Sequence, residues 1–237
     1  MQTHLEAVVD IVERASELVG ERKRERHSAA EGAAAALRDL IMEGRLAPGS
    51  RVSEEAFMGP LEVSRNTLRE AFRLLTHEKL LVHKLNRGVF VRTLEVGDVT
   101  DLFRVRRIVE GDAVTRANEA GIDRMAAAVE FGEKAAKEGR WVDVGTANIR
   151  FHQAVAALAG SPRIDELMRQ VAAELRLGFH AVGDPRRLHE SYLPRNRAIV
   201  KWLRNGQIGE ARGALLSDLK DAENQMVAAI KNVPVPD

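Results

Sequence analysis

Cysteine is absent from the 237-residue chain. That excludes disulfides and any thiolate metal site, and it fits a reducing, cytoplasmic setting. No apolar run approaches the ~18–20 residues needed to span a bilayer. Met1 to Asp10 has no basic start and carries acids, so no secretory leader and no membrane partner are expected. Aromatics are scarce, at 4%. The rare ones, Trp141, Trp202 and Tyr192, read as packing residues. An excess of one charge is lacking too. The formal net charge is +1, so only the distribution of charge can point to a partner. Strand-forming runs are few, and no repeat of fixed period is visible. What remains is 45% apolar residues in largely helical patterns, enough for two modest domains with real cores.

The most informative stretch is Glu62 to Leu81, EVSRNTLREAFRLLTHEKLL. Ser64 is a good helix N-cap, and neither Pro nor Gly follows until after the stretch ends. Leu68, Phe72 and Leu75 recur at three- and four-residue steps, which predicts one buried face. Arg65, Asn66, Arg69 and Arg73 fall on other sides, and the three arginines, spaced by four, form a cationic ridge. A short helix-sized segment from Ser53 to Leu61 precedes a tight turn. Helix, tight turn, then a helix opening Ser-Arg-Asn-Thr is the order of a helix-turn-helix with its recognition helix second. Leu80–Lys84 and Val89–Arg92 flank Leu85-Asn86-Arg87-Gly88, which predicts a hairpin with Arg87 at its tip. A helix-turn-helix followed by such a hairpin is a winged helix. From Ser64 to Arg92 there are seven Lys/Arg and two acids; from Ser28 to Val63 there are three and six. Positive charge therefore gathers where phosphates would lie.

Ahead of this unit, Met1 to Gly20 reads as an amphipathic helix with Leu5, Val8, Val12, Ala15 and Val19 on one face. Glu21 to His27 is charged on all sides: a solvated linker, or a basic arm whose Arg22, Lys23, Arg24 and Arg26 add backbone contacts to DNA. Ala29 to Glu43 reads as a helix ending at Gly44. After the wing, helices are expected at about 98–119, 122–138, 143–159, 162–182, 185–204 and 207–231. Gly121, Gly139, Gly160, Gly183 and Gly206 punctuate them, with Pro162 and Pro185 at starts. Short loops predict an antiparallel bundle. The expected organisation is an extension at 1–27, a DNA-binding domain at 28–95 and a helical domain at 96–237. The fold class is mainly α: an N-terminal winged helix-turn-helix with a small β-hairpin wing, then a C-terminal antiparallel all-α bundle.

The segment LIMEGRLAPGSRVSEEAFMGPLEVSRNTLREAFRLLTHEKLLVHKLNRGVFV resembles the winged helix of the GntR transcription regulators. The shared landmarks include Gly44, Pro48-Gly49, Val52-Ser53-Glu54, Val63-Ser64-Arg65, Arg69-Glu70-Ala71 and Arg87-Gly88. Three positions depart from the usual pattern: Glu55 replaces a basic residue, Gly59-Pro60 shortens the second helix, and Thr67 stands where Pro is common. The second half, in DLFRVRRIVEGDAV, NIRFHQAVAALAGSPRIDEL and RNRAIVKWLRNGQIGEARGALLSDL, resembles the FCD domain of the family's FadR branch. The resemblance implies DNA contacts by Ser64, Arg65, Asn66, Thr67, Arg69, Arg73, Arg87 and Gly88. It also implies a homodimer on near-palindromic operator DNA, with a small-molecule pocket in the bundle that often holds a divalent metal.

The family's metal ligands, one Asp and three His, map onto Asn148, His152, Asn196 and Asp218. The spacing survives but two ligands become neutral amides, poor donors for zinc- or nickel-type ions. Three readings stay open: direct binding of an organic effector, an ion held weakly by His152 and Asp218 with waters, or a buried polar network without ligand. Arg106 and Glu110 match a pair on the family's first bundle helix. They read either as a structural ion pair or as a fork for an effector carboxylate. His180 and His189 match nothing and read as ordinary surface or interface residues. The sequence thus points to a DNA-binding regulator, a repressor if it follows the family's usual mode. Its effector pocket would hold a small carboxylate metabolite on Arg106, Asn148, His152, Asn196 and Asp218. The rivals are a metal-dependent enzyme using His152 and Asp218, and an architectural DNA-binding protein without effector.

Overall fold

Regular structure in the winged-helix region begins where an alanine-rich run follows a serine. The computed structural model describes residues 11, 13–18, 28–181 and 183–232, divided into two compact units, Met1–Thr93 and Leu94–Asp237. In helix α1 (Ala29–Met42), Ser28 Oγ accepts from the Glu31 amide and Glu31 returns the bond to the Ser28 amide. This reciprocal cap satisfies two of the amides a helix start leaves open. Residues 13–18 are helical, with Ala15 and Leu18 buried. The rest of the expected N-terminal helix and the basic linker lie outside the described residues.

Ser53 caps the short α2 (Glu54–Met58), which stops at Gly59 as the following proline requires. Ser64 caps α3 (Arg65–His77), and Leu68, Ala71, Phe72 and Leu75 are buried on its inner face. That face packs on α1, and a two-pronged Arg38–Glu78 ion pair at 2.7 and 2.5 Å ties α1 to the end of α3. The hairpin forms as β2 (Leu81–Lys84) and β3 (Gly88–Val91), antiparallel, with Lys84 opposite Gly88. Positive φ at Asn86 and Gly88, +57° and +102°, lets the turn close. A third strand, β1 (Arg51–Val52), pairs antiparallel with β3 and makes the order β1-β3-β2. Two residues are too few to show alternation, so no local pattern predicts it.

The helical unit comprises α4 (Val96–Ala113), α5 (Glu119–Lys137), α6 (Trp141–Ala156), α7 (Pro162–Ala181), α8 (Pro185–His189), α9 (Tyr192–Arg204) and α10 (Ile208–Lys231). Short 3₁₀ turns follow α4 and α6. The single helix expected over 185–204 is therefore two. Pro194 is the reason: within a continuous helix its ring would collide with the carbonyl of Glu190 and lack the amide to bond it. In the first turn of α9 neither problem arises. Gly121, read as a break, instead sits in the first turn of α5, where its amide is capped by Asn118. α5 packs along α6, α9 spans α5 and α10, and α10 lies on α4.

The α5–α6 contact is close because Gly132 faces Ala147. A Cβ added at Gly132 would lie 2.9 Å from the Ala147 Cβ and 2.7 Å from Leu193 Cδ2. At an open helical site Gly→Ala gains about 0.5–1 kcal/mol. Here the overlap reverses the sign, and Gly132→Ala should lower stability by about 1–3 kcal/mol. Chemical denaturation of the variant checks this; equal or greater stability contradicts the packing described.

Candidate nucleic-acid interface and ligand cavity

α3 is exposed along the side opposite its buried stripe, so Arg65, Asn66, Arg69 and Arg73 all reach solvent. The cationic ridge is not bare, however. Glu54 of α2 takes both Arg65 and Arg69, at 3.3 and 2.7 Å, and Glu70 takes Arg73 at 2.6 Å. All of these pairs are partly open to water, so each contributes little to stability. Their effect is to pre-position the guanidinium groups on one side of the helix. Ser64 and Thr67 share a hydroxyl–hydroxyl hydrogen bond of 2.8 Å, while the Thr67 amide is capped by Ser64. Arg87 is exposed at the hairpin tip and Gly88 follows it. Beside them stands Arg51, whose Nε would lie 3.4 Å from a Cβ at Gly88. The sequence reading did not select Arg51, because only the unforeseen β1–β3 pairing carries it to the wing.

In the helical unit the polar residues singled out from the sequence do meet. Glu110 is fully buried; its Oε1 accepts from Arg106 Nε at 2.7 Å, and its Oε2 lies 2.6 Å from His152 Nδ1. Burial alone would raise the Glu110 carboxyl; the guanidinium and the imidazole outweigh that and hold it below the usual carboxylate range. Burial, reinforced by the Arg106 charge, lowers His152 despite Glu110. Asn196 Nδ2 donates to Asn148 Oδ1 at 2.9 Å. Asp218 Oδ1 accepts from Arg195 Nη1 at 3.0 Å, and the same nitrogen reaches Asp221 at 2.7 Å. Burial raises Asp218, only partly opposed by Arg195. Arg195 is a partner that the sequence reading did not name.

This arrangement does not fit a transition-metal centre. Asn148 and Asn196 are neutral and bond each other, one Asp218 oxygen faces Arg195, and the Arg106 guanidinium adds positive charge beside them, so His152 is the one imidazole left of the four positions. Among the described residues no group of three His, Cys, Asp or Glu stands together. What the residues do line is a pair of small chambers of about 20 Å³ each, which share Arg106, Asn148, His152 and Phe179. One continues to His189, Tyr192 and Asp218; the other is walled by Ile149, Met168, Val171 and Leu175.

His189 departs from the surface role expected for it: it is 3% exposed, its ring edge-on to Phe179. Gly145 gives it room, since a Cβ there would come within 2.7 Å of His189 Nε2. The side chain of His180 lies outside the described residues. Tyr192 is buried and donates to Gln225 Oε1 at 3.0 Å, so it packs as expected but also walls the cavity. No local pattern marked either residue, because each reaches the cavity through the turn between α8 and α9.

Burial, aided by the Arg176 charge, lowers His189 from 6.5 to about 4. Its folded value lies below its unfolded one, so the unfolded chain takes up the proton first as pH falls. Stability is then lost between about pH 6.5 and 4, by up to about 3 kcal/mol from this group. Denaturation of wild type and His189→Gln across that range should show a shallower acid loss in the variant; parallel curves contradict the burial of a neutral imidazole.

Residues 29–91 match the bacterial regulatory proteins of the gntR family, and residues 101–221 match the FCD domain. The Nta operon transcriptional regulator of Aminobacter aminovorans is 31% identical over 193 residues, covering 78% of this chain and 88% of that protein. A crystal structure described as a transcriptional regulator GntR from Rhodococcus sp. RHA1 superposes with a TM-score of 0.82 at 43% identity, covering 85% of this chain and 99% of that one. The E. coli McbR/YncC structure, at 17% identity and a TM-score of 0.70, shares the fold. The Aminobacter and Rhodococcus relatives are named as transcriptional regulators, which sets aside the enzyme built on His152 and Asp218. The chain belongs to the GntR family of bacterial transcription regulators, with a winged helix-turn-helix for DNA followed by an FCD domain.

Proposed function

We propose that this regulator acts as a homodimer on near-palindromic operator DNA, and that a small carboxylate-bearing metabolite in the helical unit changes its operator affinity. The observation that carries the DNA half is α3 itself. One face is buried, and Arg65, Asn66, Arg69 and Arg73 stand in solvent behind a Ser64 cap. Two such helices related by a two-fold axis would enter successive major grooves. Arg65 and Arg69 would exchange Glu54 for DNA, while Ser64, Thr67, Arg87 and the Gly88 amide would serve the backbone and Arg73 a flanking phosphate.

The effector half is supported by the polar cavity on Arg106, Asn148, His152 and Asp218, with Asn196 buried behind Asn148 and bonded to it, where an architectural DNA binder would have only packing. An effector would shift operator affinity by as much as it prefers one arrangement of the two winged helices over another. The donor set argues that this effector binds without a zinc- or nickel-type ion. Elemental analysis of protein purified without chelator should find well under one such ion per subunit, and stoichiometric metal surviving dialysis would contradict it.

Arg65→Ala and Arg69→Ala should each weaken operator binding by about 1–3 kcal/mol while leaving the circular dichroism spectrum unchanged. Arg87→Ala should weaken specific and non-specific duplexes alike and reduce the salt dependence. Operators selected from random DNA provide the probe. Wild-type affinity in the two α3 variants would contradict the assignment of that helix to the groove.

A further inference from the structure

Three buried polar atoms of the cavity lack any partner: Arg106 Nη2, His189 Nδ1 and Asp218 Oδ2. Their residues are 6%, 3% and 8% exposed and line the same chamber. Buried polar groups are satisfied almost without exception by protein, water or ligand, so three atoms without a protein partner in one chamber mark a polar place that water or a ligand completes. The orphans are chemically opposite. A guanidinium N–H only donates, an ionised carboxylate oxygen only accepts, and a neutral imidazole nitrogen does either according to tautomer. A plain carboxylate would satisfy Arg106 and leave Asp218 facing an added negative charge.

Charge in the neighbourhood sharpens this. Two guanidinium groups, Arg106 and Arg195, serve three carboxylates, Glu110, Asp218 and Asp221. One Arg195 nitrogen is shared between Asp218 and Asp221, so a ligand ammonium gives Asp218 a cation of its own, while the ligand carboxylate is met by Arg106. Beyond the shared residues, the second chamber offers Ile149, Met168, Val171 and Leu175, a wall for an apolar tail. Phe179, Arg106, Asn148 and His152 line both chambers, so the two are neighbours on one wall. As they stand, each has room for about one water.

We propose that this cavity takes a small α-amino acid with an apolar side chain, its carboxylate on Arg106 and its ammonium on Asp218, with no metal between them. His189 Nδ1 is the third contact, donating to the carboxylate. The tail enters the chamber walled by Met168 and Leu175. The proposal rests on the reading of this cavity as the effector site.

The test is calorimetry on the full chain with leucine and methionine, their 2-hydroxy counterparts and their counterparts lacking the amine, with and without chelator. The amino acids should bind at least about tenfold tighter than either analogue, the size of one charge-assisted hydrogen bond, and chelator should change nothing. Asp218→Asn should reduce the preference to less than about threefold; Arg195 keeps Asp221, so the variant retains its local ion pair. If the hydroxy or amine-free acids bind as tightly as the amino acids, or if the preference survives Asp218→Asn, the ammonium assignment falls while the effector site stands. Binding abolished by chelator overturns the metal-free arrangement. If none of the compounds binds, the amino-acid assignment falls, and the effector-site reading falls with it if a wider panel of organic acids also fails.

Discussion

A carboxylate with no access to water sits at the centre of the helical unit, and the rest of the site follows from what holds it there. Glu110 is ionised in a buried position only because Arg106, one turn away on α4, and His152, across on α6, each take one of its oxygens. Such a cluster is a poor source of stability, since desolvating the charges consumes most of the attraction between them. What it does provide is position. With Nε committed to Glu110, the Arg106 guanidinium is fixed with Nη2 left over. The His152 ring is likewise oriented by its Nδ1 contact. A site that must recognise a small polar molecule needs such rigid, partly unsatisfied groups, and an apolar core of the same volume would supply none.

The DNA-binding half uses charge differently. Its guanidinium groups are exposed and paired weakly with Glu54 and Glu70. Partners of that kind exchange readily for phosphate or base edges, because water and salt already screen them. Glu54 therefore lowers the indiscriminate pull of α3 on any polyanion while holding Arg65 and Arg69 extended. One half thus buries a charge network to fix geometry, and the other leaves its network open so that it can be replaced.

Much of this was legible in the chain. Local rules fixed the winged helix: the Ser53 and Ser64 caps, the spacing of Leu68, Phe72 and Leu75, and the Asn86–Gly88 turn. The i,i+4 spacing of Arg106 and Glu110 foretold their pair. What escaped had causes that are not local. β1 is too short to carry a pattern and exists only through β3. The break before α9 comes from Pro194, whose effect depends on the carbonyl four residues back, and it is this break that brings His189 and Tyr192 to the cavity. Arg195 and Glu54 are ordinary surface residues by type; only the fold sets them against Asp218 and against α3. The metal-like spacing of Asn148, His152, Asn196 and Asp218 survived as one polar cluster, in which the two amides bond each other while His152 and Asp218 bond Glu110 and Arg195.

The central claim is that the buried charge network is kept for recognition and contributes little net stability. A double-mutant cycle on Arg106→Met and Glu110→Leu tests it most directly, with unfolding free energy and operator affinity measured on the same preparations. Each single replacement strands a buried charge and should cost about 3–5 kcal/mol. The paired replacement should recover most of that loss and still bind operator, while no longer responding to small organic acids. Additive losses in the double variant, or an intact response to ligand, would contradict the account.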